Sequence, residues 1–125
     1  MKRVVLLLLL LFLLPFAKAD SNHSWEHEFE NGYITTQPLL IEDTVFVRTS
    51  GFWMGDDRPQ VSAFELSSGD ELWTYRSETT LQHDMSVLVF VEAGTGACGS
   101  WQDLLVGAWA DGKVTALNPF NGIVV

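Results

Sequence analysis

Two stretches of this chain share one pattern: Ala63-Phe-Glu-Leu-Ser-Ser-Gly69-Asp-Glu-Leu-Trp73 and Ala116-Leu-Asn-Pro-Phe-Asn-Gly122-Ile-Val-Val125. Alanine, an acidic or amide residue, glycine and tryptophan stand at positions 1, 3, 7 and 11 of the first stretch. The second stretch repeats the first three at the same spacing, and position 11 would be the residue after Val125. Internal sequence repeats of this kind are typical of solenoids and propellers, so the pattern predicts a fold built from similar units.

The rest of the chain after residue 19 predicts short strands and tight turns. Runs of apolar and β-branched residues alternate with clusters of glycine, aspartate, asparagine, serine and proline. The strands predicted for the first unit are 38–41, 44–49, 61–65 and 71–75. Those predicted for the second unit are 85–91, 104–109 and 113–117, with a fourth beginning at the end. We therefore expect an all-β chain of two four-stranded antiparallel meanders.

The two quoted stretches resemble the tryptophan-docking motif of the pyrroloquinoline-quinone-like (PQQ-like) β-propeller repeat family, which shares the quinoprotein alcohol dehydrogenase fold. The positions that match the motif are Ala63, Gly69, Trp73, Ala116 and Gly122. The resemblance covers about residues 25–125 and implies an incomplete propeller, with blade one at about 36–76 and blade two at about 84–125.

Each residue type in the motif has a physical explanation. The glycine permits a turn at positive φ, and the tryptophan is a large flat anchor for the adjacent blade. The alanine is small because the neighbouring ring lies over its peptide. Glu65 and Asn118 stand where the motif usually has aspartate. Trp25 precedes Trp73 by 48 residues, as though the fourth strand of a preceding unit opened the mature chain.

A propeller closes with roughly four to eight blades, whereas this chain predicts about two. Three explanations are open: the chain is the N-terminal part of a longer protein, several chains assemble a ring, or the fold is a small open sandwich. We favour the first, with further blades implied, because repeat units need neighbours to bury each face.

The first nineteen residues predict a secretory signal peptide. Lys2 and Arg3 are followed by an apolar run over 4–16 and by the small-x-small sequence Ala17-Lys18-Ala19. The run is shorter than the roughly twenty residues that a membrane-spanning helix needs. We therefore expect residues 20–125 to form a secreted, extracytoplasmic propeller part without a membrane segment.

The composition indicates an acidic mature chain with one cysteine. The net charge is −9, and removing residues 1–19 leaves four basic residues against sixteen acidic ones, a net charge of −12. Such a chain is not expected to bind nucleic acid, because phosphate contacts need clustered lysine and arginine.

Cys98 cannot form a disulfide within the chain. It either pairs with a cysteine elsewhere or is a small buried apolar residue.

Two short motifs suggest chemistry but lack the required context. Gly94-Thr-Gly-Ala-Cys-Gly99 matches the dinucleotide fingerprint, yet a turn and a strand follow it instead of a helix. We interpret it as a flexible loop between strands. His23 and His27 lie in a segment interpreted as a strand, where residues four apart are about 13 Å from each other, too far to chelate one ion. No catalytic, cofactor-binding or metal residue is predicted.

The loop between the second and third strands of the first unit is the candidate partner-binding loop. Its residues of interest are Trp53, Met54, Asp56, Asp57 and Arg58. Aromatic, methionine and arginine side chains often anchor partners, and the two aspartates offer oxygen ligands for calcium. The alternative, which we favour, is that Trp53 folds back over its own blade.

These expectations lead to two functional hypotheses. The preferred one is a secreted, non-catalytic binding or scaffold propeller that contacts protein or polysaccharide and needs no cofactor. The alternative is a fragment of a PQQ-dependent alcohol or sugar dehydrogenase, which would use the quinone and calcium. The resemblance implies adjacent cysteines beside the quinone in such enzymes, and this chain has a single cysteine.

Overall fold

The structure is a computed structural model that describes residues 24–30, 32–34, 36–50, 58–78 and 86–125. The predicted signal peptide lies outside these residues, as do residues 51–57 of the candidate loop. The described part contains ten strands and no helix, and its sheets are antiparallel. The all-β prediction is confirmed. No helix in these ranges is long and apolar enough to cross a bilayer.

The first sheet is four strands wide. Its members are β1 (Tyr33–Ile34), β2 (Leu39–Ile41), β3 (Thr44–Ser50), β4 (Gln60–Glu65) and β5 (Glu71–Arg76). Strands β1 and β2 pair with successive parts of one edge of β3, and β4 and β5 follow on its other side. The four strands predicted for the first unit are thus confirmed in order, while β1 is an addition that the sequence pattern did not predict.

The second sheet repeats this order as far as the chain extends. It contains β6 (Val89–Val91), β9 (Leu104–Ala108) and β10 (Val114–Leu117), with β9 in the centre. An isolated bridge joins Leu117 to Val124, where the fourth strand was predicted to begin. A separate two-stranded hairpin, β7 (Gly94–Gly96) and β8 (Gly99–Trp101), lies between β6 and β9.

The main core lies between the two sheets. It consists of the buried residues Phe46, Val61, Ala63, Leu88, Leu105, Trp109 and Leu117, with Leu39, Ile41, Trp73 and Tyr75 packed against them. Successive side chains of a strand point to opposite faces, so one face of each sheet supplies these residues. Full burial of one such side chain stabilises the fold by roughly 1.5–3 kcal/mol. The packing of one sheet on the other is therefore a major source of stability.

The other face of the first sheet is covered by residues 24–30. Phe64, which is 1% exposed, points to this face and contacts the ring of Trp25 at a centroid distance of 6.1 Å. His27 and Phe29 complete the aromatic cluster, with centroids 4.6 and 6.0 Å from that of Phe64. No strand is present in residues 24–30, so the interpretation of this segment as a strand is wrong. Aromatic packing holds it in place.

The glycines of the motif that resembles the dinucleotide fingerprint lie in the β7–β8 hairpin. The ring of Trp101 lies over this hairpin, and a Cβ added at Gly94 would come within 2.8 Å of it. The indole Nε1 of Trp101 donates a hydrogen bond to the carbonyl of Glu92 at 2.8 Å. The segment does connect β6 and β9, as predicted, but it is a hairpin with its own strand pairing and an aromatic ring packed on it, not an irregular loop.

The β2–β3 turn contains an unusual backbone conformation. Ile41 pairs with Thr44, so Glu42 and Asp43 alone form the turn. Glu42 has a φ of 50°, a left-handed conformation that side chains other than glycine adopt at a cost of about 1–2 kcal/mol. The carbonyl of Asp43 accepts a hydrogen bond from the amide of Leu66 at 2.8 Å, which fixes the turn against the next one.

The strain at Glu42 can be measured by substitution. Replacing Glu42 with glycine should raise the free energy of unfolding by about 0.5–1 kcal/mol, because glycine adopts positive φ without a Cβ clash. Glu42→Val should lower it by about 1 kcal/mol. Urea denaturation followed by circular dichroism gives both values. A glycine variant less stable than the parent would contradict the assignment.

Candidate functional site

The ring of Trp73 extends from β5 of the first sheet onto the last turn of the second. A Cβ added at Gly122 would lie 2.5 Å from Cε3 of this ring, so only glycine permits the contact. The indole Nε1 donates a hydrogen bond to the carbonyl of Pro119 at 2.9 Å. Gly122 also has a φ of +69°, which glycine adopts readily. We call this contact the second dock.

The same arrangement occurs one unit earlier. Trp25 lies against Gly69, where an added Cβ would come within 2.6 Å of Cγ of the ring, and Gly69 has a φ of +77°. The Nε1 of Trp25 donates to the carbonyl of Leu66 at 2.7 Å. We call this contact the first dock. Because both tryptophans use a glycine and a turn carbonyl at matching positions, the repeat in the sequence is also a repeat in space.

The two docking turns share their internal hydrogen bonds. Gly69 donates to the carbonyl of Glu65 at 2.8 Å, and Gly122 donates to that of Asn118 at 2.9 Å. The side chains at these acceptor positions brace the turns. Glu65 accepts from the Ser68 hydroxyl at 2.9 Å, and Asn118 Oδ1 accepts from the amide of Phe120 at 2.8 Å. An acidic or amide residue therefore suits position 3 of the motif.

The two motif alanines lie in different surroundings. Ala63 is fully buried in the main core and pairs with Trp73 across β4 and β5. Ala116 is half-buried on β10, and its carbonyl accepts a hydrogen bond from the amide of Val125 at 2.9 Å. All five predicted motif residues thus lie in or beside the docks and the core.

A buried arginine also joins the two sheets. Arg48, on β3, is 1% exposed. Its Nη1 donates to the carbonyl of Ser86 at 2.8 Å and to the Ser86 hydroxyl, and its Nη2 donates to the carbonyl of Ala108 at 2.5 Å. Its guanidinium carbon lies 4.4 Å from the centroid of the Trp109 ring. Arginine suits this position because its planar group donates in two directions while stacking on a ring.

Our sequence analysis did not single out Arg48, although a signal was present. Strand alternation places Arg48 on the same face as the buried Phe46, two residues earlier. A charged residue on a core face indicates either a break in the strand or a specific partner. The Trp109 indole is itself fixed by a hydrogen bond of 2.8 Å to the Thr115 hydroxyl, so the partner is held rigidly.

An exposed ion pair adds a further link between the units. The ammonium of Lys113 lies 2.9 Å from a carboxylate oxygen of Glu78. The hydrogen bond and attraction of Lys113 lower the pKa of Glu78 below its ordinary value, and the same partner raises the pKa of Lys113. Both side chains are largely in solvent, so this pair contributes little to stability.

The candidate partner-binding loop is described only at its end. Trp53, Met54, Asp56 and Asp57 lie outside the described residues, whereas Arg58 is exposed. Pro59 beyond it is buried, and its carbonyl accepts a hydrogen bond from the amide of Ser77 at 2.8 Å. The base of the loop is therefore attached to the first sheet.

Cys98 stands in the turn between β7 and β8 and is exposed. The alternative of a small buried apolar residue is wrong, because the Cys98 side chain is exposed. Within the described ranges, no group of three or more histidine, cysteine, aspartate or glutamate side chains is arranged to hold a metal ion.

The packing of the two sheets also produces a cleft that the sequence did not indicate. It has a volume of about 530 Å³ and lies between the two sheets, at the end where the β2–β3 turn and the second docking turn meet. The lining residues include Glu42, Phe46, Phe90, Glu92 and Phe120. These positions come from distant parts of the sequence, so no local pattern marks them.

Comparison of the chain with protein-family models, curated proteins and solved structures finds no match.

The second dock makes a stability prediction with an internal control. Gly122→Ala should lower the free energy of unfolding by about 2–4 kcal/mol, because the methyl group meets the Trp73 ring and φ is positive. Gly112 also has positive φ, +87°, but an added Cβ there meets nothing within 4 Å. Gly112→Ala should therefore cost only about 1 kcal/mol. Equal losses in chemical denaturation would contradict the dock.

Arg48 offers a second comparison. Arg48→Lys should lower the free energy of unfolding by about 1–3 kcal/mol, because one ammonium cannot reach both carbonyls and stack on Trp109. The control, Arg76→Lys, changes an exposed residue at the end of β5 and should stay within about 0.5 kcal/mol. Thermal and urea unfolding provide the measurements, and an Arg48→Lys variant as stable as the control would contradict the role.

Proposed function

We propose that this chain is part of a secreted, non-catalytic binding or scaffold β-propeller built from PQQ-like repeats. The observation that carries the proposal is the pair of equivalent docks. Trp25 and Trp73 each place a ring on a glycine of the following unit and donate to a turn carbonyl. A contact that every unit makes with the next is the kind of interaction that propagates a ring of blades.

The faces of the two sheets support the same proposal. Val61 and Ala63 on the first sheet are fully buried against the second sheet. Their repeat counterparts on β10 are Val114 and Ala116, and Val114 is 70% exposed. The second sheet thus carries an apolar face that corresponds to a covered one. In our proposal, a further blade of the same kind covers it.

The motif residues have structural roles and carry no chemistry of their own. Tryptophans, glycines and alanines of the repeat are used for packing, and Glu65, Ser68 and Asn118 hydrogen-bond within their own turns. The partner that we propose for such a scaffold is a protein or polysaccharide. The single cysteine agrees with this proposal, since the resemblance implies a cysteine pair for the quinoenzymes.

This function can be tested with the protein expressed from its full reading frame. Incubated with PQQ and Ca²⁺, it should acquire no bound quinone absorbance and should not reduce an electron-accepting dye with alcohols or aldose sugars. Single-particle electron microscopy of the same sample should show rings with a central channel. Bound quinone together with substrate-dependent dye reduction would overturn the scaffold proposal in favour of a dehydrogenase, and particles without rings would overturn the propeller.

A further inference from the structure

We propose that the cleft between the two sheets binds a lysine or arginine side chain presented by an extended segment of a partner protein. The inference rests on the proposed scaffold function and deepens it, because it names the chemistry of one partner. Its basis is the shape, charge and aromatic lining of a cleft built by residues that the docks hold in place.

The cleft has the dimensions of a binding site. Its volume of about 530 Å³ lies within the range of roughly 300–1,000 Å³ that is usual for ligand pockets. One wall comes from β2 and the Glu42 turn, and the other from the end of β6 and the second docking turn. Buried Phe46 and half-buried Ile41 and Phe90 provide an apolar interior.

The charges of the lining are all of one sign. Glu42, Glu92 and Asp103 line the cleft, and no lysine, arginine or histidine is among its lining residues. Glu42 and Glu92 are exposed, and neither has an ion-pair partner in the described part of the chain. Asp103 is half-buried and accepts a hydrogen bond from the amide of Ala93 at 2.7 Å. Charge complementarity therefore favours a cationic occupant.

An exposed aromatic ring stands in the same lining. Phe120 is 75% exposed, yet its backbone is fixed, since its amide donates to Asn118 Oδ1 at 2.8 Å. The preceding carbonyl, that of Pro119, is the acceptor for Trp73. A large aromatic side chain held in solvent on a rigid turn is a common anchor for a partner. Its ring offers a face to a cation.

The combination distinguishes a basic side chain from a bare metal ion. A lysine or arginine packs its methylene groups on apolar walls while its charged end meets carboxylates in water. A calcium ion needs several oxygen ligands around one point. The described residues contain no cluster of three carboxylate, histidine or cysteine ligands arranged in this way. The apolar interior would have no role in binding an ion.

The test uses a defined peptide and the full-length protein. The probe is a fluorescein-labelled, amidated peptide Gly-Ser-Leu-Lys-Leu-Ser-Gly, and its partner probe carries Gln in place of Lys. Fluorescence anisotropy should show binding of the Lys peptide, weakened at higher salt. The Gln peptide should bind at least about fivefold more weakly, because it lacks the charge. Equal binding of the two peptides would overturn the proposal.

Variants of the protein then locate the site. Glu42→Gln and Glu92→Gln should each weaken binding about 3- to 10-fold, and Phe120→Ser about fivefold or more. The control is Glu71→Gln, which removes an exposed charge outside the cleft lining and should change affinity less than about twofold. All four positions are exposed, so folding should be retained, and thermal unfolding verifies this. A control that weakens binding as much as Glu42→Gln would show general attraction to an acidic surface and overturn the site.

Two further results separate this proposal from others. Displacement of the peptide by Ca²⁺ at the same sites, at matched ionic strength, would identify a metal site and overturn the peptide proposal. The dehydrogenase assay remains independent. If the proposed scaffold function is wrong, the dehydrogenase assay shows quinone binding and dye reduction. If the cleft proposal is wrong, the peptide assay shows no charge-specific binding.

Discussion

The contact between the Trp73 ring and Gly122 is the interaction on which the rest of the structure depends. It joins the last strand of the first sheet to the last turn of the second, through close packing and a hydrogen bond to the Pro119 carbonyl. A large flat ring tolerates little displacement against a backbone. The dock therefore sets how the two sheets meet, and with them the main core, the position of Arg48 and the width of the cleft.

Packing and function use neighbouring parts of the same turn. The inner side of the second docking turn receives Trp73 through the Pro119 carbonyl, while the next residue, Phe120, extends into solvent beside the acidic cleft. A binding surface on such a turn needs no separate support, because the contact that stabilises the fold also holds it rigid. This arrangement connects the proposed scaffold role to the proposed recognition of a basic side chain.

Local sequence patterns predicted the strand order well. Alternating apolar residues and turn-forming clusters placed β2 to β5 and β9 to β10 close to their observed positions. The same reasoning failed for residues 24–30, where aromatic side chains pack on Phe64 without strand pairing. It also missed the β7–β8 hairpin, because the glycines of this segment indicate a loop while the ring of Trp101 packs on them and the two short strands pair. The first error comes from contacts between residues about forty positions apart, whereas the second comes from a tryptophan–glycine contact within residues 92–101 that the turn-forming composition concealed.

The sequence by itself determined the strand and turn positions and the repeated tryptophan-glycine spacing, because side-chain alternation and positive φ are properties of a few adjacent residues. Only the tertiary structure decided which faces are covered, why Arg48 is tolerated in the core, and that Glu42 and Glu92 line the cleft with Phe120. The physical reason is distance along the chain. These contacts join residues from different units, and they exist only once the docks have brought the two sheets together.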